Sequence, residues 1–184
     1  MGKILMLCLG ISLLAIDTLL AQENQVESKS TVDVNRGFIV NVGEKAPGGI
    51  LLELTNGEKL TLESLRGKVV LLQFTASWCV VCRKEMPHLE KEVWQVYKDR
   101  GLVLIGIDRD EPIDTVRQFA SKMKVTYPLA LDPGAAIFHK FASRDAGVTR
   151  NVLIDRNGNI SFLTRLFDMQ EFEQLKQKIS ELLN

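Results

Sequence analysis

The chain has 184 residues, of which 46% are hydrophobic, enough for one compact domain with a proper core and some additional segments. Lysine plus arginine and aspartate plus glutamate both total 23, so no charge imbalance draws it to nucleic acid or to an anionic membrane surface. Nucleic-acid binding is set aside on that ground.

The N-terminus carries one positive residue, Lys3, and then an apolar run from Ile4 to Ile16 broken only by Cys8, Gly10 and Ser12. Asp17-Thr18 and a small Ala21 before Gln22 complete the order of a secretory signal peptide, residues 1–21, cut after Ala21. Two alternatives stay open. An uncleaved membrane anchor is one, because Ile4 to Ala21 approaches the ~20 residues a spanning helix needs, although Asp17 argues against a stable span. Lipid attachment at Cys8 is the other, although Leu5-Met6-Leu7 lacks the small residue of such signals. If Cys8 leaves with the signal, Cys79 and Cys82 remain as the one possible pair, in an oxidising compartment where their redox state matters.

Gln22 to Ser30 is polar and aperiodic and reads as a tether; residues 22–42 form a linker, with a possible edge strand ending in Phe38-Ile39-Val40. The domain proper is expected over 43–184. Ile50 to Leu54 and Lys59 to Leu62 flank Asn56-Gly57, a hairpin signal with an expected type I′ turn. Glu63 to Arg66 reads as a short helical turn ended by Gly67. Val69 to Phe74 is apolar nearly throughout, as expected of a strand buried on both faces.

From Cys79 to about Asp99, apolar positions Cys82, Met86, Leu89, Val93 and Val96 or Tyr97 recur at four and three, the period of an amphipathic helix. Pro87 lies inside it and is expected to kink it. Gly101 ends it, and Leu102 to Ile107 is a second buried strand. Asp108 to Asp114 reads as a polar loop, Ile113 to Lys124 as a helix, and Tyr127 to Leu131 as a short strand. Asp132-Pro133-Gly134 turns into a small helix at Ala135 to Phe141. Asn151 to Asp155 and Ile160 to Arg165 form an antiparallel hairpin at the sheet edge, and Met169 to Leu183 is a closing helix. No internal repeat or low-complexity tract is visible.

The chemistry concentrates at Trp78-Cys79-Val80-Val81-Cys82. Two cysteines two residues apart can close a disulfide in one turn. A strand feeding a helix puts Cys79 at the helix N-terminus, where unpaired N–H groups and the macrodipole favour a thiolate.

The order of elements resembles the thioredoxin fold, and the details resemble its exported branch, the TlpA/ResA-like thiol-disulfide oxidoreductases. The matching residues are Ala46-Pro47, Asn56-Gly57, the run Leu65-Arg66-Gly67-Lys68-Val69-Val70-Leu71-Leu72, the motif Trp78-Cys79-x-x-Cys82-Arg83-x-Glu85-Met86-Pro87, Asp132-Pro133 and Val152-Leu153-Ile154-Asp155-x-x-Gly158. The resemblance runs from about Gly43 to the C-terminus. It implies an α/β, thioredoxin-like fold: a central mixed β-sheet flanked by helices, with an N-terminal β-hairpin extension and a helix-strand insertion at Glu111 to Leu131.

Two departures from that family stand out. Where it has a cis-proline facing the disulfide, this chain has Thr149, and the cost of a non-proline cis bond, ~2.5 to 4 kcal/mol, favours a trans Val148-Thr149 bond. Where thioredoxin carries a buried, proton-relaying aspartate, Gln73 stands instead.

Cys79 is the expected nucleophile and Cys82 the resolving thiol. Glu85, three residues beyond Cys82, matches a glutamate of the ResA-like branch. It is the candidate proton carrier with a burial-raised pKa, the alternative being a solvated carboxylate balanced by Lys84 or His88. Trp78, Thr149 and Arg150 are the expected substrate-binding residues. The plainer alternatives are packing for Trp78 and a surface arginine ending a strand for Arg150. Val80-Val81 contains no His, so reductant or isomerase-like behaviour is favoured over strong oxidation.

No cofactor is expected beyond the redox-active Cys79–Cys82 disulfide. The expected partners are disulfide-bearing envelope proteins and an upstream thiol reductant, with the chain itself a monomer. A membrane is met only if the signal stays or Cys8 is lipidated, and the expected location is the periplasm or cell envelope. The PxxxTxxC signature of peroxiredoxins is absent, since Ala76 stands three and Leu72 seven residues before Cys79. Covalent haem would need CxxCH, but Arg83 follows Cys82. Cys79, Cys82, His88 and His139 are poorly spaced for structural zinc, and a copper-carrying relative remains an alternative on the same ligands. A non-catalytic binding module for an envelope partner is the rival from a different class.

Overall fold

A computed structural model describes residues 36–184, so the signal-peptide, tether and Cys8 readings lie outside the described residues. The strands are β1 (Leu51–Leu54), β2 (Lys59–Thr61), β3 (Val69–Thr75), β4 (Leu102–Arg109), β5 (Leu129–Asp132), β6 (Arg150–Ile154) and β7 (Ile160–Arg165). They form one sheet in the order β2-β1-β5-β4-β3-β6-β7. The pairs β3/β4 and β4/β5 are parallel; β1/β2, β1/β5, β3/β6 and β6/β7 are antiparallel. The main helices are α1 (Val80–His88), α2 (Ile113–Met123) and α3 (Met169–Leu183).

Every residue of β3 is buried, because strands pair with it on both edges and side chains cover both faces. Its alternation divides the core in two. Val69 and Leu71 join Met86, Leu89 and Val93 of the α1 segment, Phe119 of α2 and Phe172, Leu175 and Ile179 of α3. Val70, Leu72 and Phe74 join Phe38, Leu52, Phe138 and Phe141 on the other face. One face is therefore roofed by three helices and the other by short turns and the N-terminal segment.

The helix-strand insertion appears as α2 and β5. Within the long helical stretch, Pro87 removes one backbone donor and crowds the carbonyl of Arg83. The departure takes the form of a π-turn, Leu89–Trp94, followed by Gln95–Tyr97 and a 3₁₀ turn, Lys98–Arg100, before Gly101 at φ 98°. Of the two candidates near the end, Tyr97 is half-buried against the core while Val96 is 49% exposed.

Several expectations are corrected in detail. The Phe38-Ile39-Val40 stretch forms no strand; it makes a single bridge from Phe38 to Ala142 and buries Phe38 and Val40 in the core. Asp108 and Arg109 belong to β4 rather than to a loop, and Tyr127 is buried ahead of β5. The small helix at 135–141 is replaced by 3₁₀ turns at Pro133–Ala135 and Phe138–Lys140. In the β1/β2 turn only Gly57 takes positive φ, at 92°, and its N–H donates to the Leu54 carbonyl. That is a type I turn closed by a left-handed glycine rather than type I′. No helix of the described residues is long and apolar enough to cross a membrane.

Candidate active site

β3 delivers the chain into a short loop whose middle residue is clamped from three directions. The Glu111 carboxylate accepts from Ser77 N (2.5 Å) and Ser77 Oγ (2.6 Å), and Arg83 Nη1 donates to the Ser77 carbonyl (3.1 Å). Cys79 then caps α1 with extended backbone (φ −83°, ψ 108°), and its Sγ accepts from Cys82 N at 3.1 Å. A free amide of the first turn thus points at the sulfur that is to carry negative charge.

Cys79 and Cys82 are joined as a disulfide, their Cα atoms 5.3 Å apart. The pair is asymmetric: Cys79 keeps 8% exposure and Cys82 none, while Trp78 (59%) and Val80 (56%) stand exposed beside Cys79. A partner's sulfur can reach Cys79 first, over an apolar rim.

Facing the pair is Thr149, buried, with Oγ1 3.1 Å from Cys79 Sγ and 3.2 Å from Cys82 Sγ. Among the described residues no peptide bond is cis, so Val148-Thr149 is trans as expected. The Thr149 carbonyl accepts from Leu166 N (3.1 Å), which ties the facing loop to the residue after β7.

Arg150 follows neither sequence reading. It is 1% exposed, and its guanidinium donates to the carbonyls of Gly147 and Arg36 (2.6 Å to the latter) and lies 4.9 Å over the Phe38 ring. Burial, reinforced by Arg165, Arg36 and Arg109, brings its pKa down to about 10. It is a staple between the N-terminal segment and the Thr149 loop, not a surface residue or a group offered to substrate.

Glu85 is 1% exposed and has no cationic partner among the described residues; His88 pairs instead with Glu92 at 2.7 Å, so the solvated-carboxylate alternative does not hold. Its oxygens accept from Asn151 Nδ2 (2.6 Å) and Gln73 Nε2 (3.2 Å). Gln73 Oε1 accepts in turn from the Tyr127 hydroxyl (2.8 Å), and Asn151 Nδ2 also donates to Thr164 Oγ1 (2.8 Å). Burial pushes the Glu85 pKa up to about 7 against the opposing pull of those two amides, with the Glu171 charge adding to the rise. Cys82 lies one turn earlier on the same helix, so the two residues share a helix side.

Sequence reasoning missed Asn151, Tyr127, Thr164 and Glu111 altogether. Asn151 and Thr164 stand out only as polar residues in strands with buried neighbours, and Glu111 carries no local signal at all. It also missed Asp108, whose buried carboxylate oxygens have no hydrogen-bond partner among the described residues and whose pKa is pushed up to about 8 by burial and by the charges of Glu111 and Asp132. Among the described residues no group of three or more His, Cys, Asp or Glu is placed to hold a metal ion.

A reversible disulfide at a helix N-terminus, with one sulfur reachable and the other enclosed, supports two-electron exchange with another disulfide. In this fold that places the chain among thioredoxin-like thiol-disulfide oxidoreductases. The comparisons agree: residues 42–163 match the AhpC/TSA family. The chain is 30% identical over 143 residues to the thiol-disulfide oxidoreductase ResA of Bacillus cereus, covering 78% of this chain and 79% of that one. It is 61% identical to a Bacteroides thetaiotaomicron protein whose solution structure is described as a protein disulfide isomerase, with a TM-score of 0.77 over 80% of this chain and 92% of that one. A Chlorobium tepidum protein described as thiol:disulfide interchange protein DsbE is 27% identical, with a TM-score of 0.69 over 79% and 99% of the two chains. The chain belongs to the AhpC/TSA family, among its ResA-like thiol-disulfide oxidoreductases, and is an enzyme of that kind.

Proposed function

We propose that the chain is exported and reduces disulfides in envelope proteins, with Cys79 as nucleophile and Cys82 as resolving thiol. The observation that carries this reading is the asymmetry of the pair. Cys79 caps the helix beside exposed Trp78, and Cys82 is enclosed behind it. The signal-like residues 1–21 support export, and the absence of a His between the cysteines favours the reducing direction.

The Cys79 thiolate attacks one sulfur of the partner's disulfide, and the other partner sulfur leaves as a thiolate. Cys82 gives its proton to the Glu85 carboxylate and attacks the Cys79 sulfur of the mixed disulfide. The second partner sulfur leaves, and the Cys79–Cys82 disulfide has passed two electrons to the partner. Protonated Glu85 keeps that proton until the dithiol is restored and then returns it to the Cys82 thiolate, an exchange suited to neutral pH because burial holds its pKa near 7. An upstream thiol reductant then restores the dithiol. Trp78 and Val80 supply the contact surface for the partner.

The test uses protein recovered from the periplasmic fraction, expected to begin at Gln22. In its reduced form it should reduce a disulfide-bonded model protein, and the Cys79→Ser variant should lose that activity. Retained activity in Cys79→Ser, or none in the wild type, would overturn the reading.

A further inference from the structure

One hydroxyl touches both reacting atoms. Thr149 Oγ1 is 3.1 Å from Cys79 Sγ and 3.2 Å from Cys82 Sγ, on a residue only 3% exposed. Neither sulfur of a disulfide carries a proton, so in the oxidised pair the hydroxyl is the donor. In the dithiol the same oxygen has one O–H to give and lone pairs to receive. The two sulfurs then offer complementary partners, one a thiolate and the other a thiol.

We propose that Thr149 is a catalytic residue of the exchange reaction: its hydroxyl donates to the Cys79 thiolate while accepting from the Cys82 thiol, holding the charge of the reduced pair on Cys79. The inference deepens the thiol-disulfide reading above and rests on it.

The asymmetry comes from the backbone. Cys79 Sγ already accepts from Cys82 N at 3.1 Å, so Thr149 makes a second donor at that sulfur. The hydroxyl is the one hydrogen-bond partner of Cys82 Sγ among the described residues. Its position is held on both sides, by Leu166 N on the Thr149 carbonyl (3.1 Å) and by the Arg150 guanidinium on the carbonyls of Gly147 and Arg36.

The charged groups around Cys79 leave this role open. From its own helix come Cys82, Glu85, which is bonded to Gln73 and Asn151, and Arg83, which is bonded to the Ser77 carbonyl. From β4 and the loop after it come Asp108 and Glu111, the latter bonded to Ser77. From β6 comes Arg150, turned to carbonyls elsewhere. No charged side chain among them donates to the Cys79 sulfur, whose other donor is the backbone N–H of Cys82.

During exchange Thr149 gains and loses hydrogen bonds but never its proton. When the Cys79 thiolate bonds to the partner's sulfur, the partner's S–S bond breaks, its other sulfur leaves with the electron pair, and Cys79 becomes a weaker acceptor. The hydroxyl is then free to donate to Cys82 as that thiol loses its proton to Glu85. Cys82 attacks Cys79, and the second partner thiolate is released.

The test is an ultraviolet titration of the thiolate in the reduced full chain, for wild type, Thr149→Val and Thr149→Ser. Val keeps the shape and loses the hydroxyl; Ser keeps the hydroxyl. Thr149→Val should raise the Cys79 pKa by about one unit and make the pair more reducing, because a donor to a charged sulfur is lost. Thr149→Ser should titrate as the wild type does. Should Val disturb folding, as read by thermal unfolding, Thr149→Ala replaces it with the same expected rise. Identical titrations of Val or Ala and wild type, or a Ser variant that shifts as far as Val, would overturn the proposal. A wild type that fails to reduce any disulfide would instead sink the functional reading beneath it.

Discussion

On the helix side of the disulfide the controlling contacts are short in sequence, whereas on the facing side they are long. Cys79 receives the N–H of Cys82 three residues on, and Glu85 lies one further turn along the same helix. Thr149 reaches the two sulfurs across 70 and 67 residues, and Arg150 reaches the Arg36 carbonyl across 114. The nucleophile is therefore prepared by one turn of helix. The surface that faces it depends on the N-terminal segment being in place, with Phe38 as its anchor.

That difference is most exposed by Phe38→Ala. The ring is 4% exposed and sits under the Arg150 guanidinium, so its removal should cost about 4 kcal/mol by denaturant unfolding. The loss should appear as faster hydrogen exchange at Gly147 to Arg150, with α1 still protected. Equal loosening on both sides would break the comparison.

A somewhat smaller effect is expected on the helix side from Glu85→Gln, and it depends on pH. The folded carboxyl ionises near 7 and the unfolded one near its ordinary 4.5. The unfolded chain thus gives up this proton first. Stability is complete below about 4.5, declines through that interval and stays low above about 7, a loss of about 3 kcal/mol. Gln has nothing to ionise, so the gap between variant and wild type should open over the same range, whatever Asp108 adds to both. The same variant should slow resolution of the mixed disulfide by Cys82. Parallel pH profiles of stability would place Glu85 outside the buried acids.

The smallest effect is expected where the helix side borrows a distant support. Glu111 holds Ser77 across 34 residues, and Glu111→Gln keeps the shape while weakening two charge-assisted bonds. A loss of about 1 kcal/mol should follow, with the turnover of Cys79 changed only a few-fold. A loss as large as that of Phe38→Ala would show that the helix side too is built from afar.

Legibility from sequence followed the same divide. The CxxC turn, the buried run of β3, the α3 face and the Pro87 disturbance rest on spacing within one element, and all stand in the fold. The place of Arg150 is not legible, because a strand residue shows no sign of which distant carbonyls it will meet. The Phe38-Ile39-Val40 stretch reads as a possible edge strand for the same reason: the burial of Phe38 is decided by Phe138, Phe141 and Arg150, about a hundred residues away. Gln73 reads from sequence as a missing acid, but its part in linking Tyr127 to Glu85 needs β3, α1 and the segment before β5 in register.

The central claim is that Cys79 attacks and Cys82 resolves, and a single-turnover reaction of reduced Cys82→Ser with a disulfide-bonded model peptide tests it most directly. The account predicts a stable mixed disulfide, one peptide per chain, mapped by mass spectrometry to Cys79. A peptide that fails to attach, or the same reaction in Cys79→Ser giving an adduct on Cys82 at a comparable rate, would contradict it.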